Sequence, residues 1–155
     1  MRREAAGKKV ELIAVGKIKP PFAEAEAHYL KLLKPLMPVE VTETRDDDAL
    51  GRQVKSALAT GGNRPDPGTI VALEAGGRDM TSERWAEWLD QRRHDGQRLT
   101  LLIGGPEGLP GEVSGMADHR LSLGPQTMAH QLARVVLLEQ LFRASKILAG
   151  QKYHL

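Results

Sequence analysis

Cysteine is absent from the 155-residue chain, which excludes a disulfide framework, a thiolate zinc site, an iron–sulfur cluster and a catalytic thiol. Aromatic residues are scarce at 4%, too few for a surface that holds RNA by stacking many bases. No apolar run approaches the roughly 18 residues of a membrane helix. The basic start, Met1-Arg2-Arg3-Glu4-Ala5-Ala6-Gly7-Lys8-Lys9, has no apolar stretch behind it for a secretory signal. A cytoplasmic location without membrane contact is the expectation. Phosphate-binding signatures are also missing. No G-x-x-x-x-G-K-[ST] occurs and no G-x-G-x-x-G follows the first strand-like run, so a P-loop and a standard dinucleotide site are poorly supported. His28, His94, His119, His130 and His154 lack metal-ligand spacing, and no metal is expected.

What is present describes a globular α/β domain. The composition, 41% apolar and 27% charged, and the length suit one domain with its own core. The net charge of +2 is unevenly placed: residues 1–34 carry +4, residues 35–100 carry −3 and residues 101–155 carry +1. Such a basic N-terminal stretch permits contact with a polyanion without demanding it. Short β-type runs at 10–15, 39–42, 69–73, 99–103 and 119–123 alternate with helix-like segments at about 22–34, 47–60, 81–95, 109–117 and 128–148. The runs at 69–73 and 99–103 are nearly all apolar, as expected of parallel strands covered on both faces. Asp46-Asp47-Asp48 opens the second helix with carboxylates suited to its dipole, and Thr81 or Ser82 can cap the third.

Three glycine-containing loops follow strands: Glu74-Ala75-Gly76-Gly77-Arg78, Gly104-Gly105-Pro106-Glu107-Gly108 and Gly124-Pro125-Gln126-Thr127-Met128. In a parallel sheet the carboxyl ends of all strands share one edge, so these loops can converge on one crevice. Leu73, Leu123 and Met128 offer apolar walls, and Arg78 is the one cation among the loops. The pocket suits a nucleoside-type ligand without a pyrophosphate. On the last helix, at about 100° per residue, Leu132, Val136, Glu139 and Arg143 share one face. His130, Arg134, Leu137 and Leu141 lie opposite, and Val135, Leu138 and Phe142 fill a third side. A helix apolar on most sides needs cover on most sides, and a homodimer packed through it is the expectation.

The runs Leu101-Leu102-Ile103-Gly104-Gly105-Pro106-Glu107-Gly108-Leu109, Leu121-Ser122-Leu123, Thr127-Met128-Ala129-His130-Gln131-Leu132-Ala133-Arg134-Val135, Glu139-Gln140-Leu141-Phe142-Arg143-Ala144 and Tyr153-His154 resemble the ribosomal RNA large-subunit methyltransferase H family. The opening Leu12-Ile13-Ala14-Val15-Gly16-Lys17 is similar to that family's first strand and turn. The resemblance implies a single domain of the SPOUT class: a mostly parallel sheet, flanking helices and a C-terminal trefoil knot, with residues 1–8 as a flexible extension. It implies a cytoplasmic homodimer that uses S-adenosyl-L-methionine to methylate N3 of a pseudouridine in 23S rRNA of the assembled ribosome. Carried over by position, the cofactor site comprises Leu73, Gly104, Gly105, Leu123, Gly124, Pro125, Gln126, Thr127 and Met128. Arg143, Tyr153 and His154 match positions near the target base: His154 as general base, Arg143 as stabiliser of developing carbonyl charge, Tyr153 as a stacking or positioning group. Gly124-Pro125 stands where the family has Ser and a small or basic residue, and Leu155 where it has a basic one. One domain this small cannot encircle a ribosomal stem-loop, so the second subunit is expected to supply RNA contacts through its basic N-terminal stretch, including Lys17, Lys19, Lys31 and Lys34. A non-catalytic ribosome-associated protein of the same fold is the alternative, and a nucleotide-binding oxidoreductase is disfavoured by the missing fingerprint.

Overall fold

In the computed structural model, which describes residues 10–59, 68–94 and 96–153, strands and helices alternate along the chain. The elements are β1 (Val10–Val15), α1 (Phe22–Leu33), β2 (Val39–Thr44), α2 (Asp47–Leu58), β3 (Thr69–Asp79), α3 (Ser82–His94), β4 (Leu99–Ile103), α4 (Gly111–Gly115), β5 (His119–Ser122) and α5 (His130–Leu148). The expected extension at 1–8 lies outside the described residues, as do His154 and Leu155.

The strands form one sheet in the order β2-β1-β4-β3-β5, and every neighbouring pair is parallel. Alternation along the strands divides the core in two. Leu12 and Ala14 of β1, Val71 and Leu73 of β3, and Leu99, Leu101 and Ile103 of β4 face a layer holding α1, α3 and α5. Ile13, Val15, Ile70 and Leu102 face the other way, against Leu50 and Val54 of α2 and Val113 of α4. The result is a three-layer α/β sandwich in which β4 is buried along its whole length.

Helix entry follows the sequence punctuation. The Asp46 carboxylate accepts the Ala49 N–H at 2.8 Å, and the Thr81 hydroxyl accepts the Arg84 N–H at 3.1 Å. These bonds satisfy backbone donors that the first helical turn leaves unpaired.

One feature differs from the sequence expectation. Residues 74–78 are strand rather than loop: β3 continues to Asp79 and, after an irregularity between Leu73 and Arg78, pairs again with Leu121 and Ser122 of β5. Gly77 makes this continuation possible, because a Cβ there would lie 2.7 Å from the Leu121 carbonyl carbon. The last helix, α5, finds much of its cover within its own chain, because it shares the core with α1, α3 and the sheet. Leu137, Leu138, Leu141 and Phe142 are buried, whereas Val136, Glu139 and Arg143 are half-exposed and Leu132 is 40% exposed.

Candidate active site

A cavity of about 420 Å³ opens at the carboxyl edge of the sheet. Its walls are residues 73–76 of β3, residues 103–109 after β4, residues 123, 124 and 126–128 after β5, and His130 and Ala133 from the first turns of α5. The three segments singled out by their glycines therefore do meet. Of the nine expected cofactor residues, Leu73, Gly104, Gly105, Leu123, Gly124, Gln126, Thr127 and Met128 line the cavity. Pro125 does not: it is exposed in the bend after Gly124, and without an N–H it offers a ligand no backbone donor.

Two glycines shape the walls by different means. A Cβ on Gly104 would lie 2.5 Å from the Gly108 carbonyl carbon. The 104–109 segment folds back on itself there, closed by the Gly108 N–H bond to the Gly105 carbonyl at 2.9 Å. Gly124 has φ +140°, a backbone conformation that residues with a side chain rarely adopt. Its N–H donates to the Ser122 hydroxyl oxygen at 2.9 Å, which pins the start of the 124–128 turn.

The charge of the lining is informative. Glu74 and Glu107 contribute carboxylates, and neither Lys nor Arg is among the lining residues. Glu74 is held by the Ser114 hydroxyl, which donates to it at 2.6 Å, with Arg120 more distant at 3.9 Å. Apolar atoms come from Leu73, Ile103, Leu109, Leu123, Met128 and Ala133. Such a cavity favours a partly apolar ligand with positive charge and opposes a pyrophosphate. His130 and Ala133 line the cavity although neither was expected there, whereas Glu107 belongs to a loop that was. For His130 the signal was its place one turn after the 124–128 segment.

The residues matched to the target-base site gather elsewhere. Arg143 bonds Glu139 at 2.6 Å and stacks its guanidinium 4.6 Å from the Tyr153 ring centroid. Tyr153 also packs edge-on against Phe142 at 5.0 Å. Burial, then the neighbouring Tyr29 hydroxyl and Glu139 carboxylate, push the Tyr153 phenol up to about 12. It stays protonated at neutral pH and can donate a hydrogen bond but cannot act as base. His154 lies outside the described residues. Arg143 stands more than three turns along α5 from His130, about 20 Å of helix axis. One chain thus does not bring the cavity and the Arg143–Tyr153 pair together. The four lysines divide likewise: Lys17 and Lys19 lie in the loop after β1, Lys31 and Lys34 at the far end of α1, all exposed.

Among the described residues no group of three His, Asp or Glu could hold a metal ion, and no helix is long and apolar enough to cross a membrane.

Residues 8–154 match the model of a family described as predicted SPOUT methyltransferase. The ribosomal RNA large subunit methyltransferase H of Stenotrophomonas maltophilia strain K279a is 39% identical, with 94% of this chain and 98% of that protein covered. The protein of the same name from Solidesulfovibrio magneticus is 41% identical over 95% and 99%. Among solved structures, a methylase family protein from Neisseria gonorrhoeae matches with a TM-score of 0.57 at 12% identity, covering 99% of this chain and 98% of that one. The SpoU methyltransferase AviRb from Streptomyces viridochromogenes, in complex with AdoMet, matches with a TM-score of 0.50 at 13% identity, over 94% of this chain and 60% of that one.

Proposed function

The chain belongs to the SPOUT methyltransferase family, and from that membership we propose that it transfers a methyl group from S-adenosyl-L-methionine to large-subunit ribosomal RNA. The observation that carries the reading is the cavity: carboxylate-bearing, free of Lys and Arg, apolar on several walls, and built from the segments that follow β3, β4 and β5. Its volume falls in the range of small-ligand sites. Gly104, Gly105 and residues 123–128 would hold the adenosyl and methionyl parts largely through backbone groups, with Leu73 and Met128 as apolar contacts. The closed turn at 104–109 keeps that backbone in place before the cofactor arrives.

When bound, the cofactor supplies a methyl group on a positively charged sulfur that becomes neutral as the methyl leaves. Apolar walls favour that loss of charge, and fixed orientation of the acceptor supplies much of the remaining rate. The proposed acceptor is N3 of a pseudouridine in 23S rRNA of the assembled ribosome, an imide nitrogen that carries a proton. His154 is assigned as the group that takes this proton, since an ordinary imidazole titrates near ~6.5. Arg143 stabilises negative charge growing on the adjacent carbonyl oxygen, and Tyr153, held protonated, positions the base.

The same reading includes a cytoplasmic homodimer, a single domain, and a trefoil-knotted path for the C-terminal third. The outward strip of α5, with Leu132, Val136, Glu139 and Arg143, supports the dimer. So does the separation of the Arg143–Tyr153 pair from the cavity, because a second copy can supply that pair across the interface. Calorimetry with S-adenosylmethionine and transfer of labelled methyl to ribosomes lacking the modification test the reading. Saturable binding and one methyl per ribosome at a pseudouridine N3 are expected. No binding, or methyl on another nucleotide of intact ribosomes, would overturn it.

A further inference from the structure

The surface loop at 16–19, after β1, is held more firmly than a lysine-bearing turn ordinarily is. Gly16 donates its N–H to the Thr44 carbonyl at 2.8 Å, and its own carbonyl accepts from Arg134 Nη1 at 3.1 Å. The Lys17 carbonyl accepts from Gln131 Nε2 at 3.2 Å, and the Lys19 N–H donates to Gln131 Oε1 at 3.0 Å. Between them the Ile18 N–H donates to Glu43 at 2.9 Å. Behind this ring stands Arg134, 1% exposed, which pairs with both oxygens of Glu26 and with Glu43, each at 2.9 Å.

The helix that holds the loop also walls the cavity. Gln131 and Arg134 of α5 reach the loop, while His130 and Ala133 line the cavity. The two meet at Gly16, where a Cβ would lie 3.8 Å from His130 Nε2. Lys17 and Lys19 are exposed, and Lys17 lies near enough to Glu43 for its charge to help hold that carboxyl below its usual range, after the Ile18 N–H and Arg134. Both lysine backbones are fixed while their side chains reach solvent. Beside a cavity that delivers methyl groups to RNA, two fixed cations suit a backbone phosphate of that RNA.

We propose that the 16–19 loop is a phosphate seat for the polynucleotide substrate, and that Gln131 and Arg134 are positioning residues that present its lysines beside the cavity. This rests on the methyltransferase reading above. A flexible lysine loop would lose conformational freedom each time it met a phosphate; a loop already tied to α5 loses less.

Gln131→Ala tests the assignment without disturbing the buried ion cluster. With ribosomes as substrate it should raise KM by about threefold to tenfold, the loss of two modest hydrogen bonds, with the effect falling on KM rather than kcat. Affinity for S-adenosylmethionine, measured by calorimetry, should stay as in the unsubstituted enzyme. Lys17→Ala with Lys19→Ala should weaken ribosome binding and reduce its logarithmic salt slope by about 0.7, the share of one phosphate. Adding Gln131→Ala to that pair should change nothing further, since no lysine remains to present. A KM unchanged by Gln131→Ala, or an effect undiminished once both lysines are gone, would overturn the assignment alone. An unsubstituted enzyme that transfers no methyl to ribosomes would overturn the functional reading and this assignment with it.

Discussion

Glu74 places a carboxylate on the cavity wall, and the proposed donor and its product differ by one positive charge on sulfur. No Lys or Arg lines the cavity, and although Arg120 stands 3.9 Å from the Glu74 carboxylate outside the lining, a carboxylate there attracts the charged donor more than the neutral product. On the proposed reading that attraction would be lost once the methyl has left, which would assist product release. Glu74→Gln should therefore narrow the preference for S-adenosylmethionine over S-adenosylhomocysteine by roughly threefold to tenfold, read as the ratio of two calorimetric Kd values. An unchanged ratio would remove Glu74 from cofactor selection. His119 carries a second residue-level consequence. Burial, then the positive charge of Arg92, lower its pKa from the ordinary 6.5. Well above pH 6.5 the ring is neutral in both states and its contribution to stability is complete. As the pH falls below that value the unfolded chain takes up a proton that the folded ring resists, so stability drops until the folded ring also protonates. The melting temperature should therefore fall less between about pH 7.5 and about pH 5.5 in His119→Asn than in the unsubstituted protein.

At the scale of elements, α5 organises the molecule, and what ties it down is the part least visible in the sequence. Arg134 reads there as one polar residue on an otherwise apolar helix. Its partners are 108 and 91 positions away, on α1 and β2, so no local spacing announces them. The strands were legible for the opposite reason: apolar runs such as 99–103 carry their burial in their own composition. The limit of local reading shows again at Gly76-Gly77, which looks like a turn but lets β3 run past β5 at close range. The cavity was legible as far as it depends on strand ends and glycine. His130 and Ala133 were not, because only the packing of α5 against those loops brings them in. The Arg134 cluster yields a direct stability test. Arg134→Met removes the cation and leaves Glu26 buried and charged, which should cost about 3–5 kcal/mol in urea unfolding. Adding Glu26→Gln should recover part of that loss, since a neutral amide is cheaper to bury than an unpaired carboxylate. No recovery would mean that the cost lies in lost packing.

Whole-molecule architecture decides whether the site works in one chain or two. The cavity lies at the first turns of α5 and the Arg143–Tyr153 pair near its other end, about 15–20 Å apart along the axis. A continuous helix does not bend to close that gap, so on the proposed reading a symmetric dimer would bring one copy's cavity to the other copy's pair. Subunit mixing separates the two arrangements. Ala133→Phe fills the cavity and Arg143→Ala removes the proposed charge stabiliser, and each variant alone should be nearly inactive on ribosomes. In a refolded equal mixture, half of the dimers contain one subunit of each kind. Within such a dimer one site combines an intact cavity with an intact Arg143, and the other has neither. Activity should return to about a quarter of that of the unsubstituted protein. A site complete within one chain gives no recovery at any mixing ratio, because each chain then keeps its own defect.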